Sequence, residues 1–246
     1  MDGYFQHGRA TRGKARILNP TYEIIVHGNS LRLKDDFLGL ANITLIHAAS
    51  GPMLFDTGGY ISRLGLIKQL NERGLKPADI RSVFLSHLHF DHAHNIDLFP
   101  QARFILSARE WEYAKNPHPK DILVPWGILD QLSRGRVDLI DGDGELDKDI
   151  LHFATPGHTP GSHALELHTE DKGKVVIAGD AIKYVKEVII CRCDMAFGTV
   201  EQGTASIRRI LGTADRIVPG HFPELIKQPD GGFSWDEAAH FHLMVR

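Results

Sequence analysis

Ser86-His87-Leu88-His89-Phe90-Asp91-His92 places four ligand-type side chains within six residues, directly after the strand-like run Arg81-Ser82-Val83-Phe84-Leu85. Residues two apart in an extended segment point to the same side, so His87 and His89 can close on one metal ion as a pincer. A turn into a helix after them swings Asp91 and His92 to a different side, where they can hold a second ion. Imidazole suits zinc, iron, nickel or copper and carboxylate suits harder ions, so the mixed set fits a hydrolytic Zn, Mn or Fe centre. For any single histidine a solvated turn is the simpler reading. The density of ligands behind an apolar strand argues against it here.

Outward from this loop the same event recurs. Ile150 to Ala154 reads as a strand and leads into Thr155-Pro156-Gly157-His158-Thr159-Pro160-Gly161-Ser162, too broken for regular structure. His163 to His168 and Lys174 to Ala178 flank Asp171-Lys172-Gly173 as a hairpin whose second arm ends in Gly179-Asp180. Arg216 to Val218 ends in Pro219-Gly220-His221. Loops at strand ends are where a rigid sheet positions catalytic groups, and a glycine beside His158, Asp180 and His221 permits the sharp turns. Tyr22 to His27, Ile43 to Ala48, Met53 to Phe55 and Ala102 to Leu106 complete the strand-like runs, with Val137 to Ile140 later in the chain.

Helices are predicted where Ile61, Leu64, Ile67 and Leu70 recur every three residues before Gly74, and within Val200 to Leu211. Two short ones are predicted after Ser107, which with Glu110 has the form of a capping box, and around Trp126 to Leu132. Asn116 to Pro125 reads as a surface loop. Strands and helices alternate in both halves, which implies two mixed sheets packed together with helices outside. Residues 1–20 read as a flexible lead-in rich in Gly, Arg and Lys, and 21–246 as one domain.

With 246 residues, 42% hydrophobic and 24% charged, the composition is that of a globular protein with a sizeable core. A net charge of -3 offers no field for nucleic acid or an anionic membrane surface. Fifteen histidines point to metal or proton chemistry. Cys191 and Cys193 stand too close for an ordinary disulfide framework and read as free thiols on or near a strand. The polar, basic start lacks a secretory core and no run is long enough to span a membrane, so the expectation is a cytoplasmic protein.

Taken together these residues resemble the metallo-β-lactamase-fold hydrolases, over the stretch from Asp56 to His221. The resemblance implies an α/β (α+β) fold, a four-layer αββα sandwich of two mixed sheets. It implies one ion on His87, His89 and His158, a second on Asp91, His92 and His221, and Asp180 bridging. Asp56-Thr57-Gly58 is similar to the family's buried turn that supports the ligand loop. The phrase Ser-His-Leu-His-Phe-Asp-His-Ala and the His221-Phe222 ending look most like the N-acyl-homoserine-lactone lactonases. Two positions depart from them: His94 replaces a common Gly, and Lys183 stands where the lactonases have Tyr, with Tyr184 one residue later.

The implied function is opening of a lactone or related ester by a hydroxide shared between two divalent ions, zinc first, with Mn, Fe or Co as alternatives. Free water is far too weak an acid to supply hydroxide at neutral pH, and zinc lowers the pKa of a bound water to about 7. Asp91 is a candidate to move the proton to the leaving oxygen, and Tyr184 to meet the substrate carbonyl. The partner is a small lactone or ester, with no nucleic acid and no membrane; a homodimer is left open. A glyoxalase-II-like thioesterase is the alternative within the fold, and a phosphodiesterase or nuclease fits the charge less well. A mononuclear iron persulfide dioxygenase would need only the His87, His89, His158 set, and a scaffold would lack ligands.

Ser86, Thr159 and Ser162 lack a G-x-S-x-G elbow. Lys183, Lys186 and Arg192 read as a solvated charge run, although they could accept a substrate carboxylate. Cys191-x-Cys193 reads as core or strand rather than a metal site, and His240-Phe241-His242 as an alternating end. Substrate choice is expected to sit in Tyr60 to Arg63 and Asn116 to Trp126.

Overall fold

A computed structural model describes residues 19–235, so the predicted lead-in up to Leu18 and the His240-Phe241-His242 tail lie outside the described residues. The first sheet runs β1 (Thr21–Val26), β2 (Ile43–Ala48), β3 (Gly51–Phe55), β4 (Ser82–Phe84), β5 (Arg103–Ser107) and β6 (Arg136–Ile140), in that spatial order. Its first two pairings are antiparallel and the rest parallel. The second sheet contains β7 (Gly144–Asp147), β8 (Ile150–Ala154), β9 (His163–Thr169), β10 (Gly173–Gly179), β11 (Arg216–Pro219), β12 (Leu225–Lys227) and β13 (Phe233–Trp235). Their spatial order reverses the sequence, from β13 to β7, and only β10 with β11 is parallel.

Period-two alternation explains the layering. On β3, Met53 and Phe55 face the space between the sheets while Leu54 faces outward; on β10, Val175 and Ile177 face inward while Val176 and Ala178 face outward. Both faces of both sheets are therefore apolar, and each outer face needs helices to cover it. Leu66 and Leu70 of α1 (Arg63–Glu72) cover the first sheet, and Ile207 and Ile210 of α6 (Val200–Thr213) cover the second. The described residues also form four shorter α-helices: α2 (Phe90–Ala93), α3 (Ala108–Lys115), α4 (Ile128–Leu132) and α5 (Val185–Ile190). The layers are helix, sheet, sheet, helix.

Several local expectations change. The buried stripe of α1 is Leu66 and Leu70, below the buried N-cap Ser62, whereas Ile61 and Leu64 are 64% and 82% exposed. A strict three-residue spacing drifts around a helix of 3.6 residues per turn, so only its last member stays on the core. Ser107 does cap α3, accepting from the amides of Arg109 and Glu110, but the Glu110 carboxylate turns inward instead of closing a capping box. Cys191 and Cys193 are free thiols at the end of α5, not on a strand, with Cys193 buried against α6. No helix among the described residues is long and apolar enough to cross a membrane.

Candidate metal centre

The ligand-type residues enter from strand ends of both sheets at one shared edge. Beyond β3, Asp56 adopts a φ of 61° and turns its carboxylate inward. There it accepts from Ser86 N and Ser86 Oγ, both at 2.8 Å, and from His92 Nδ1 at 2.7 Å. Of the glycines beside the other ligands, Gly157 and Gly179 have positive φ, as a sharp turn requires. Gly220 is needed for space: a Cβ there would fall 2.0 Å from Asp180 Oδ1.

Five imidazoles follow one plan, each with a ring nitrogen turned outward to a protein partner. His87 Nδ1 meets Ser86 Oγ at 2.9 Å and His89 Nε2 meets Asp121 Oδ2 at 3.1 Å. His92 is held by Asp56, His158 Nδ1 by the Met195 carbonyl at 3.3 Å, and His221 Nδ1 by the Leu40 carbonyl at 2.9 Å. The opposite nitrogens converge. His158 Nε2 lies 3.0 Å from His89 Nδ1. Asp180 faces both ways, with Oδ2 3.3 Å from His158 Nε2 and Oδ1 3.3 Å from both His92 Nε2 and His221 Nε2. Asp91 Oδ2 completes the far side at 3.3 Å from His221 Nε2.

This donor set fits metal. Adjacent ligands of a tetrahedral site with bonds of about 2.0–2.1 Å stand about 3.3–3.4 Å apart, close to the spacings above. His87, His89 and His158 form one group whose donor atoms lie within 4.8 Å of one another, as do His87, His92 and Asp180, and Asp91, His92 and His221. His87 Nε2, His92 Nε2 and Asp180 Oδ1 are buried with no hydrogen-bond partner. Each such orphan costs roughly 1–3 kcal/mol unless something else binds it. Cations held by the groups to which these atoms belong would satisfy them, with outward bonds fixing the ring orientations.

The electrostatics point the same way. Burial, with nearby imidazoles adding to it, holds His87 well below the ordinary imidazole value, and burial also lowers His158; both present neutral lone pairs. Burial opposes charge on Asp180, yet His221, His92 and His158 together hold its carboxyl well below the usual range. Burial likewise opposes charge on His92, but Asp180, Asp91 and Asp56 outweigh it and raise the group well above its usual value. The centre is built to hold positive charge.

A cavity of about 310 Å³ opens onto Asp91, Asp180, His158 and His221. Leu123 is the sole lining residue from Asn116 to Trp126, and Tyr60 to Arg63 contribute none, contrary to expectation. The wall comes instead from Arg32 and Phe37, on an arm that folds back through the Asn29–Leu40 and Arg32–Phe37 bridges, and from Tyr184 and Met195. The Tyr184 hydroxyl donates to Asp194. Lys183 is not part of a solvated charge run: it is buried, lines the cavity and pairs with Glu187 at 3.2 Å. His94 packs edge-on against Tyr60 and does not line the cavity. Ser86 and Ser162 are tied to Asp56 and Thr159.

Sequence reading missed Asp121, which receives the Tyr113 hydroxyl and supports His89, and the inward role of Glu110. Neither stands at a revealing distance from the residues it serves.

Known proteins agree with this architecture. Residues 37–221 match the model of the metallo-beta-lactamase superfamily. Metallo-beta-lactamase domain-containing protein 1 of Rattus norvegicus is 33% identical over 201 residues, covering 80% of this chain and 71% of that protein. An N-acyl homoserine lactonase of a Bacillus species is 30% identical over 189 residues, covering 68% and 73%. The solved structure of a dizinc quorum-quenching lactonase, in complex with a product N-hexanoyl-L-homoserine, superposes with a TM-score of 0.66 over 91% of this chain and 93% of that one. Its 22% identity speaks to fold alone. By sequence match and architecture alike, this chain belongs to the metallo-beta-lactamase superfamily, with N-acyl homoserine lactonases among its homologues.

Proposed function

We propose that the protein is a dinuclear metal-dependent hydrolase that opens a lactone or related carboxylic ester. One ion is assigned to His87, His89 and His158, the other to Asp91, His92 and His221, with Asp180 between them. The observation that carries this reading is the convergence of five outward-anchored imidazoles and two carboxylates, of which His89, Asp91, His158, Asp180 and His221 line one cavity. Bound there, two divalent cations supply an acidified water at neutral pH and positive charge for the carbonyl oxygen.

The protein's own groups do the rest. The seven ligands are 0–8% exposed, so solvent screens the charges among them little. Asp91 has one oxygen toward His221 and also lines the cavity, a placement suited to carrying a proton to the leaving oxygen. Tyr184, on the cavity wall, is assigned to the substrate carbonyl; its hydroxyl must then exchange Asp194 for substrate. A cavity of about 310 Å³ suits a small molecule, and the lactonase relatives support an ester or lactone over other acyl compounds. The test is a panel of acyl-homoserine lactones, aromatic lactones, thioesters and phosphodiesters, offered to protein loaded with Zn, Mn, Fe or Co. Lactone or ester turnover is expected. Activity confined to thioesters would move the assignment to the glyoxalase-II-like reading.

A further inference from the structure

We propose that Glu110 is a positioning residue that fixes the spacing between the loop carrying His87 and His89 and the loop carrying His158; this rests on the two-ion reading above. The two loops leave different sheets, after β4 and β8, yet His89 Nδ1 and His158 Nε2 stand 3.0 Å apart. Glu110 spans them. Its Oε1 accepts from the Leu88 amide at 3.0 Å, and Leu88 is the residue between the two histidines. Its Oε2 accepts from Thr159 Oγ1 at 2.7 Å and the Gly161 amide at 3.2 Å, just past His158.

The arrangement is tight on every side. Ser107 caps the helix under Glu110 and fixes its backbone. A Cβ at Gly161 would fall 2.1 Å from Glu110 N, so the His158 loop lies directly against the first turn of α3. Glu110 is 1% exposed, and among the described residues no Lys or Arg pairs with it. A buried carboxylate without a countercharge is costly unless its hydrogen bonds are complete. Here neutral donors from both loops complete them, and their positions are set by its two oxygens.

A carboxylate accepts on both oxygens, whereas an amide offers a donor on one side. Glu110→Gln therefore sets an N–H against either the Leu88 or the Gly161 amide, freeing one loop whichever way it turns. The experiment titrates Zn²⁺ into metal-free protein against a chromophoric chelator. The step assigned to the His87, His89, His158 site is the one that His158→Ala abolishes. In Glu110→Gln that step weakens 10- to 100-fold, as loss of a supporting partner typically does, while the other step is weakened less. An unchanged step, or equal weakening of both, overturns the proposal.

Thr159→Val, which removes one of the three bonds, covers the case in which Glu110→Gln fails to fold. It is expected to weaken the same step by severalfold, and no change overturns the proposal. A wild-type protein without the step that His158→Ala removes overturns both this proposal and the two-ion reading. Wild-type binding of two ions with variants like the parent overturns this one alone.

Discussion

Asp91 stands with Oδ2 3.3 Å from His221 Nε2 and its carboxyl facing the cavity, so it can bind metal and handle a proton. If it does both, Asp91→Asn keeps the shape and loses the base. Turnover is expected to fall by about 10²–10⁴ with the metal content retained; near-parental rates with both metals present would remove Asp91 from proton transfer. Tyr184→Phe is a separate test, because its hydroxyl already donates to Asp194. A lowered kcat with unaltered metal content is expected if the phenol meets the substrate carbonyl, and unaltered kinetics assign Tyr184 to packing. Residue-scale legibility depended on spacing. His87 to His92 is compressed into one loop, so its pattern survives without structure. Asp121 and Glu110 act on that loop from 32 and 22 residues away through single contacts, and nothing in their neighbourhood signals it.

Among elements, the turns that end β10 and β11 are built around each other. Gly179 precedes Asp180, and Gly220 has no room for a side chain because Asp180 Oδ1 occupies it. Gly220→Ala is therefore expected to displace Asp180 and lower bound metal, measured by elemental analysis of folded protein; full metal content would show that the turn relaxes elsewhere. The folded-back arm is the second such device. Its Leu40 carbonyl holds His221, and its Phe37 ring lies edge-on to His221 with centroids 6.0 Å apart. Phe37→Ala is expected to raise KM with little change in kcat, in steady-state kinetics on the best substrate of the panel; an equal fall in kcat would place the arm in the chemistry. Sequence could not reveal this arm because its isolated bridges leave no alternating pattern. Short strands such as β12 and β13, at three residues each, were missed for the same reason. The long core strands were legible since their side chains alternate between two apolar faces.

At the scale of the molecule, the two sheets meet face to face through Phe55, Phe84, Leu165 and Ile177, and all the ligand loops leave from one edge. A cation bound there links the sheets and stabilises the folded state by mass action. At a free metal concentration a hundredfold above the dissociation constant the gain is about 2.7 kcal/mol per ion. For a chain of this size that corresponds to roughly 5–10 °C in Tm, so chelated protein is expected to melt lower by at least that much in calorimetry. A melt insensitive to chelation would detach the ligand edge from the stability of the fold. The most direct measurement of all is native mass spectrometry of the chain after loading with Zn²⁺ and removal of loose ions. Two ions per chain, falling to one or none in His158→Ala, are predicted; an intact chain that carries none, or only one, contradicts the paired centre.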